Sequence, residues 1–275
     1  MSRLDPTWIQ TQLKTLHARP QKSYGQHFLI DAAVLDDILV AAALAPGERV
    51  VEVGPGLGVL TERLVQASAE VTAFEADPIL ATHLRTAFPA LNLVEGDALQ
   101  TLPQHLPVSP YAVVANIPYQ ITTPLMRLFL EGGMPQPTAI TWLVQYELGK
   151  RLAAAPQTSG RGYLSVLCQY LAEVRLVRAV PPSAFWPEPA VASAVVHLKV
   201  RPTRALPQEE EAAFLRYVKQ AFLEPRKQLK NVLAGIRGVP VAEIAQSFET
   251  LGLPITIRCQ QLTQEQWIAL YRHHV

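Results

Sequence analysis

Asn116, Ile117, Pro118 and Tyr119 occur in the run A-N-I-P-Y, and residues of these types in this order suit one kind of chemistry. A planar amino group conjugated to a ring is a poor nucleophile, because its lone pair is delocalised into the ring. The Asn116 amide oxygen and the carbonyl that precedes Pro118 can accept the two N–H bonds of such an amine. They would draw the nitrogen toward tetrahedral geometry and aim its lone pair at an electrophilic methyl group. Pro118 fixes the turn, and Tyr119 offers a face on which a flipped or unpaired base can stack. Taken alone, N-x-P-Y is better explained as an ordinary turn carrying a core tyrosine.

Three further pieces change that balance. A Val-rich run leads into E-V-G-P-G-L-G, from Glu52 to Gly58, where glycines let the backbone pass close to a ligand and a following helix offers unpaired N–H groups. The dinucleotide fingerprint G-x-G-x-x-G is not met, because Val59 stands where its third glycine belongs and Gly58 falls one residue early. The G-x-G-x-G form is commoner in S-adenosylmethionine methyltransferases. Glu75 closes the next predicted strand, where a carboxylate can accept both hydroxyls of a ribose and disfavours a 2′-phosphate. Asp97 ends the third, in E-G-D-A, where it can take the exocyclic amine of an adenine, although an aspartate after a strand is also a common helix cap.

These groups need a scaffold that brings strand ends together. Arg49 to Val53, Glu70 to Glu75, Leu91 to Glu95, Tyr111 to Ala115 and Ala139 to Val144 read as strands. Thr61 to Ala67, Ile79 to Phe88 and Thr123 to Leu130 read as the helices between them. Such alternation predicts an α/β, doubly wound, Rossmann-like sheet, covered on both faces. A helix from Leu164 to Leu171 follows, then extended Glu173 to Val180 and Ser193 to Val200 as closing strands, joined by a proline-rich stretch. Past Val200 the pattern is helical only, which predicts a small C-terminal all-α domain. The expected organisation is an N-terminal arm over 1–22, a larger α/β domain with the glycine loop over 23–204 and a small helical domain over 205–275.

The chain has 275 residues, of which 49% are hydrophobic and 17% charged, so it folds rather than staying disordered. Its apolar runs are too short for a membrane span, and Cys168 and Cys259 are too few for a disulfide framework or a four-cysteine metal site. No metal is expected, and the start of the chain lacks an apolar leader, which points to the cytoplasm. The net charge of +1 lacks the field of a non-specific nucleic-acid binder, so contact with a polyanion must come from local patches. The first 30 residues carry Arg3, Lys14, Arg19 and Lys22 against Asp5 and form one such patch, or else a solvated tail.

The sequence resembles the KsgA-like family of ribosomal small-subunit RNA adenine dimethyltransferases. The resemblance rests on K-S-Y-G-Q-H-F-L from Lys22 to Leu29, E-V-G-P-G-L-G, N-I-P-Y-Q-I-T-T-P from Asn116 to Pro124, and V-P-P-S-A-F-W-P-E-P from Val180 to Pro189. It rests too on S-A-V-V from Ser193 and R-K-Q-L-K-N from Arg226, and it covers the chain from about Lys22 onward. It implies double N6 methylation of two adjacent adenosines in a hairpin loop near the 3′ end of small-subunit rRNA, with S-adenosylmethionine as donor, by a monomer acting on a pre-ribosomal particle. By the same resemblance His27 and Leu29 line the methionine end of the cofactor beside Gly54, Glu75, Asp97 and Asn116. Phe185 becomes the second aromatic wall of the base pocket, facing Tyr119, while Lys22, Arg226, Lys227 and Lys230 contact RNA phosphates. The chain departs from the family pattern at Ala190 and Ala192, where a basic and an acidic residue are usual, and at Pro225, which replaces one cation of an R-R-K block.

The nearest rival is a large-subunit rRNA adenine methyltransferase of the antibiotic-resistance type, which shares the glycine loop and N-I-P-Y. The long proline motif and R-K-Q-L-K-N argue against it. A non-catalytic assembly or transcription factor on the same fold is opposed by the retention of Glu75, Asp97 and Asn116. Methylation of a DNA adenine or a protein glutamine would more often bring N-P-P-Y or D-P-P-Y.

Overall fold

A computed structural model describes residues 2–275 apart from 68, 108–109, 132–133 and 159, and the side chain of Lys22 also lies outside the described set. The chain divides into two compact units, Met1–Gly149 with Val174–Val200, and Lys150–Glu173 with Arg201–Val275. The sequence reading keeps 23–204 together, whereas here residues 150–173 group with the C-terminal helices.

In chain order the elements are α1 (Pro6–Thr15), β1 (Phe28–Leu29), α2 (Ala32–Ala42), β2 (Arg49–Val53), α3 (Val59–Gln66), β3 (Glu70–Glu75) and α4 (Pro78–Ala87). Next come β4 (Asn92–Glu95), α5 (Ala98–His105), β5 (Ala112–Asn116), α6 (Thr122–Glu131), β6 (Ala139–Gln145) and α7 (Tyr146–Leu152). Then α8 (Tyr163–Leu171) leads to β7 (Ala172–Val180), β8 (Phe185–Trp186) and β9 (Ser193–Val200). The chain ends in α9 (Gln208–Ala221), α10 (Leu229–Arg237), α11 (Val241–Thr250) and α12 (Gln264–His274).

The first unit is built on a seven-stranded sheet of order β4-β3-β2-β5-β6-β9-β7. The strands from β4 to β6 are parallel, and β9 runs antiparallel to β6 from Ala139↔Lys199 to Gln145↔Ser193. Val50, Val51, Val113 and Val114 are fully buried, as strands covered on both faces require, and this is why they appear in the sequence as continuous apolar runs. The strand order reverses at β2, with β3 on one side and β5 on the other, so a crevice opens at the carboxyl ends of those three strands. Aspartates cap the helices that leave this edge: Asp77 accepts from Ile79 N at 2.9 Å and Asp97 from Leu99 N at 2.9 Å.

Helices α1, α2, α5 and α7 escape the sequence reading, and the first two of them build the core. In α2, A-A-V-L-D-D-I-L-V-A-A is apolar almost throughout, which blurs its period, yet Val34, Leu35 and Ile38 are buried. In α1, Asp5 caps the helix and Ile9 and Leu13 are buried in a cluster with Phe28, Leu57 and Leu80. Arg3 donates to Leu57 O at 2.9 Å, pairs with Glu62 at 3.1 Å and lies over the Trp8 and Phe88 rings. The start of the chain is therefore a docked helix rather than a solvated tail, and Arg3 is spent on holding it.

The second unit is helical, as expected, and its core is aromatic. Phe214, Phe248 and Trp267 are fully buried, and Phe214 lies 4.9 Å from Tyr170 and 5.5 Å from Tyr271 between ring centres. Cys168 and Cys259 are buried.

Candidate active site

A cavity of about 310 Å³ opens at the switch point, within the range of small-molecule sites. His27, Leu29, Gly54, Glu75, Asp97, Asn116, Pro118 and Tyr119 all line it. The glycine loop makes its floor: Gly54 and Gly56 have φ of 70° and 62°, and a Cβ at Gly56 would stand 3.3 Å from the Phe28 ring. Side chains here would be strained and would crowd the space a ligand needs.

Glu75 is 5% exposed, with Oε2 accepting from Gly56 N at 3.0 Å and Oε1 from Asp77 N at 2.9 Å. Burial raises its pKa, and these N–H bonds oppose that rise. A carboxylate has about four lone-pair sites, so both oxygens retain capacity for two hydroxyl donors. Asp97 uses Oδ1 as a helix cap and lines the cavity as well, so capping does not exclude a second partner for this residue.

Asn116 Nδ2 donates to the main-chain carbonyl of His27 at 3.1 Å. A carbonyl only accepts, so the amide nitrogen is fixed on that side and the amide oxygen is left as an acceptor. His27 Nδ1 donates to Pro187 O at 2.7 Å, and its ring stacks on Tyr119 with centres 6.1 Å apart and planes at 22°. Tyr119 OH and Ser193 Oγ are hydrogen-bonded at 2.6 Å, and burial raises the tyrosine pKa while that bond opposes the rise.

Phe185 is where the sequence reading fails. It pairs with Leu29 in the β1–β8 ribbon, is 1% exposed and packs into the core with Val180, Ala184 and Val195. It does not line the cavity, and the ring that faces Tyr119 is His27. The expected phosphate contacts lie elsewhere. Arg226 and Lys227 are exposed in the turn between α9 and α10, Lys227 is paired with Glu224, and Lys230 is half-buried in the first turn of α10. The Lys22 side chain lies outside the described residues.

Two cavity residues, Gln26 and Glu52, escape the sequence reading. Gln26 Nε2 donates to Asp77 Oδ2 at 2.9 Å, tying the N-terminal motif to the turn after β3; its place inside K-S-Y-G-Q-H-F-L was the available signal. Glu52 lines the cavity, fully buried, with Thr61 Oγ1 donating to it at 2.7 Å. Burial pushes its carboxyl up to about 8, Thr61 opposing and Glu75 adding to the rise.

The family model described as ribosomal RNA adenine dimethylase matches residues 17–273. The chain belongs to this family. Its relatives include the ribosomal RNA small subunit methyltransferases A of Synechococcus sp. (strain JA-3-3Ab), 43% identical with 91% of each chain covered, and of Thermosynechococcus vestitus, 42% identical over 92% of this chain and 96% of the other. Among solved structures, the dimethyladenosine transferase from Plasmodium falciparum has the same fold, with a TM-score of 0.76 at 23% identity over 90% and 97% of the two chains. The 23S rRNA methyltransferase ErmE aligns with a TM-score of 0.71 at 28% identity, over 89% and 98%.

As a ribosomal RNA adenine dimethylase, the protein is an enzyme whose methyl donor is S-adenosylmethionine. The cavity fits that donor: a glycine floor that admits no side chains, a buried carboxylate with spare acceptor capacity, and an aspartate at the far edge. Among the described residues no group of three or more metal-binding side chains occurs, and no helix is long and apolar enough to cross a membrane.

Proposed function

We propose that the enzyme dimethylates N6 of two adjacent adenosines in a hairpin loop near the 3′ end of small-subunit rRNA, acting in the cytoplasm as a monomer on a pre-ribosomal particle. The small-subunit assignment is supported by 43% identity across 91% of the chain to a small-subunit methyltransferase A, against 28% to the 23S rRNA enzyme.

The observation that carries the chemistry is the fixed orientation of Asn116. Its oxygen accepts one N6–H bond and the Ile117 carbonyl accepts the other, so the nitrogen lone pair leaves conjugation with the ring. Tyr119 carries the flipped adenine, and Pro118 fixes the turn between these groups. Bound S-adenosylmethionine would supply a sulfonium-activated methyl for transfer to that nitrogen. Glu75 would hold the ribose hydroxyls of the cofactor and Asp97 its adenine amine, Gly54 would allow close backbone approach, and His27 and Leu29 would enclose the methionine end. Each transfer ends with loss of one N6 proton. Lys22, Arg226, Lys227 and Lys230 supply phosphate contacts, and recognition of splayed loop bases suits so modest a basic patch.

The test is methyl transfer from labelled S-adenosylmethionine to small subunits that lack the modification, with large subunits in parallel and nucleoside mass analysis of both. N6,N6-dimethyladenosine from small subunits alone is expected. Transfer to large subunits would overturn the assignment in favour of the resistance-type reaction.

A further inference from the structure

Ser193 begins β9 and is fully buried, opposite Gln145 at the carboxyl end of β6. It does not line the cavity, yet its hydroxyl meets the Tyr119 hydroxyl at 2.6 Å, a short contact for two neutral oxygens. Tyr119 does line the cavity, and at its backbone end Pro118 holds φ at −55°. The ring is thus held at both ends, by a proline turn and by a serine 74 residues away in sequence, and His27 stacks against it.

We propose that Ser193 is a positioning residue for methyl transfer: it anchors the Tyr119 hydroxyl and so, with His27 stacked on the ring, sets the position and tilt of the face on which the target adenine rests. The hydroxyl oxygen lies on the axis of the ring, so this bond fixes where the far end of that axis sits and how it is tilted, while the stacked His27 ring limits rotation about it. Lone-pair alignment at N6 depends on the tilt of the base, and errors of this kind in a reacting pair lower turnover without touching the chemistry itself. Ser193 does not line the cavity, so its effect is to pass through Tyr119. The proposal rests on the reading of Tyr119 as the platform for the base.

The experiment compares Ser193→Ala, Tyr119→Phe, the double variant and Tyr119→Ala in the full-length enzyme. It measures kcat and KM on unmodified small subunits, the dissociation constant for S-adenosylmethionine, and Tm. Ser193→Ala and Tyr119→Phe remove the same hydrogen bond, so each should lower kcat by about 2- to 12-fold, the range for one neutral bond. The double variant should fall no further than either single one, and cofactor affinity should be unchanged. A purely structural role would lower Tm and leave kcat at moderate temperature intact, and that result would overturn the proposal. Multiplying losses in the double variant would overturn it too, as would full turnover in Ser193→Ala beside an impaired Tyr119→Ala. Full turnover in Tyr119→Ala would overturn both this proposal and the platform reading.

Discussion

The Asn116 amide nitrogen donates to the main-chain oxygen of His27 at 3.1 Å, joining the end of β5 to a segment 89 residues earlier. This bond decides which way the amide faces, and the catalytic reading depends on that direction. Asn116→Ala should lower turnover by about 10²- to 10³-fold, as for loss of one preorganised hydrogen-bonding group, and leave S-adenosylmethionine binding nearly intact. Single-turnover methylation and calorimetry on the same preparation check both halves.

Glu75 accepts from Gly56 and Asp77 and has capacity for a ribose besides. Glu75→Ala should weaken cofactor binding by about 10- to 100-fold, the scale of hydrogen bonds to a charged group. An unchanged dissociation constant in titration calorimetry would remove Glu75 from the site.

Glu52 gives a pH signature. Its carboxyl is pushed from 4.5 to about 8 by burial, so the folded protein holds a proton that the unfolded chain releases at lower pH. The contribution to stability is full below about pH 4.5 and is lost as pH rises to about 8. Glu52→Gln should flatten this decline, with a difference on the order of a few kcal/mol across the window. Denaturant melts of both proteins at pH 5, 6.5 and 8 measure it.

Arg226 is exposed and has no ion pair among the described residues, whereas Lys227 is paired with Glu224. If Arg226 meets a phosphate, Arg226→Ala should reduce the slope of log affinity against log salt by about 0.7 to 0.9, and Lys227→Ala by less. Filter binding of the rRNA hairpin at several salt concentrations reads the two slopes.

Arg161 is 5% exposed, and none of its three guanidinium nitrogens has a partner among the described residues. Burial lowers its pKa, with Glu265 opposing. A buried charge without hydrogen bonds is costly even with Glu265 attracting it, so Arg161→Met should raise stability by about 1 to 3 kcal/mol. A fall in Tm would show that this cation has a partner in solution.

The strands β2, β3 and β9 match the sequence reading residue for residue, and the other strands of the large sheet to within a residue at either end. The glycine loop, Glu75, Asp97 and Asn116 were legible for a related reason. Each sits at the end of a strand whose own residues declare it, and parallel topology then gathers those ends at one edge. Helix α2 was not legible, because an element that is apolar on nearly every side has little period to read.

Phe185 and His27 mark the limit. Both stand in motifs, and from sequence either one can be set against Tyr119. The antiparallel ribbon Leu29↔Phe185 turns Phe185 into the core, and the bond from His27 to Pro187 holds the His27 ring against Tyr119. The residue types available for the chemistry, and the strands that carry them, are written in local runs of sequence, because strand preference and backbone freedom belong to a few neighbouring residues. Which ring faces Tyr119, which way the Asn116 amide points and which hydroxyl holds the platform are set by pairings between distant segments, and such pairings exist only once the sheet has closed around a common core.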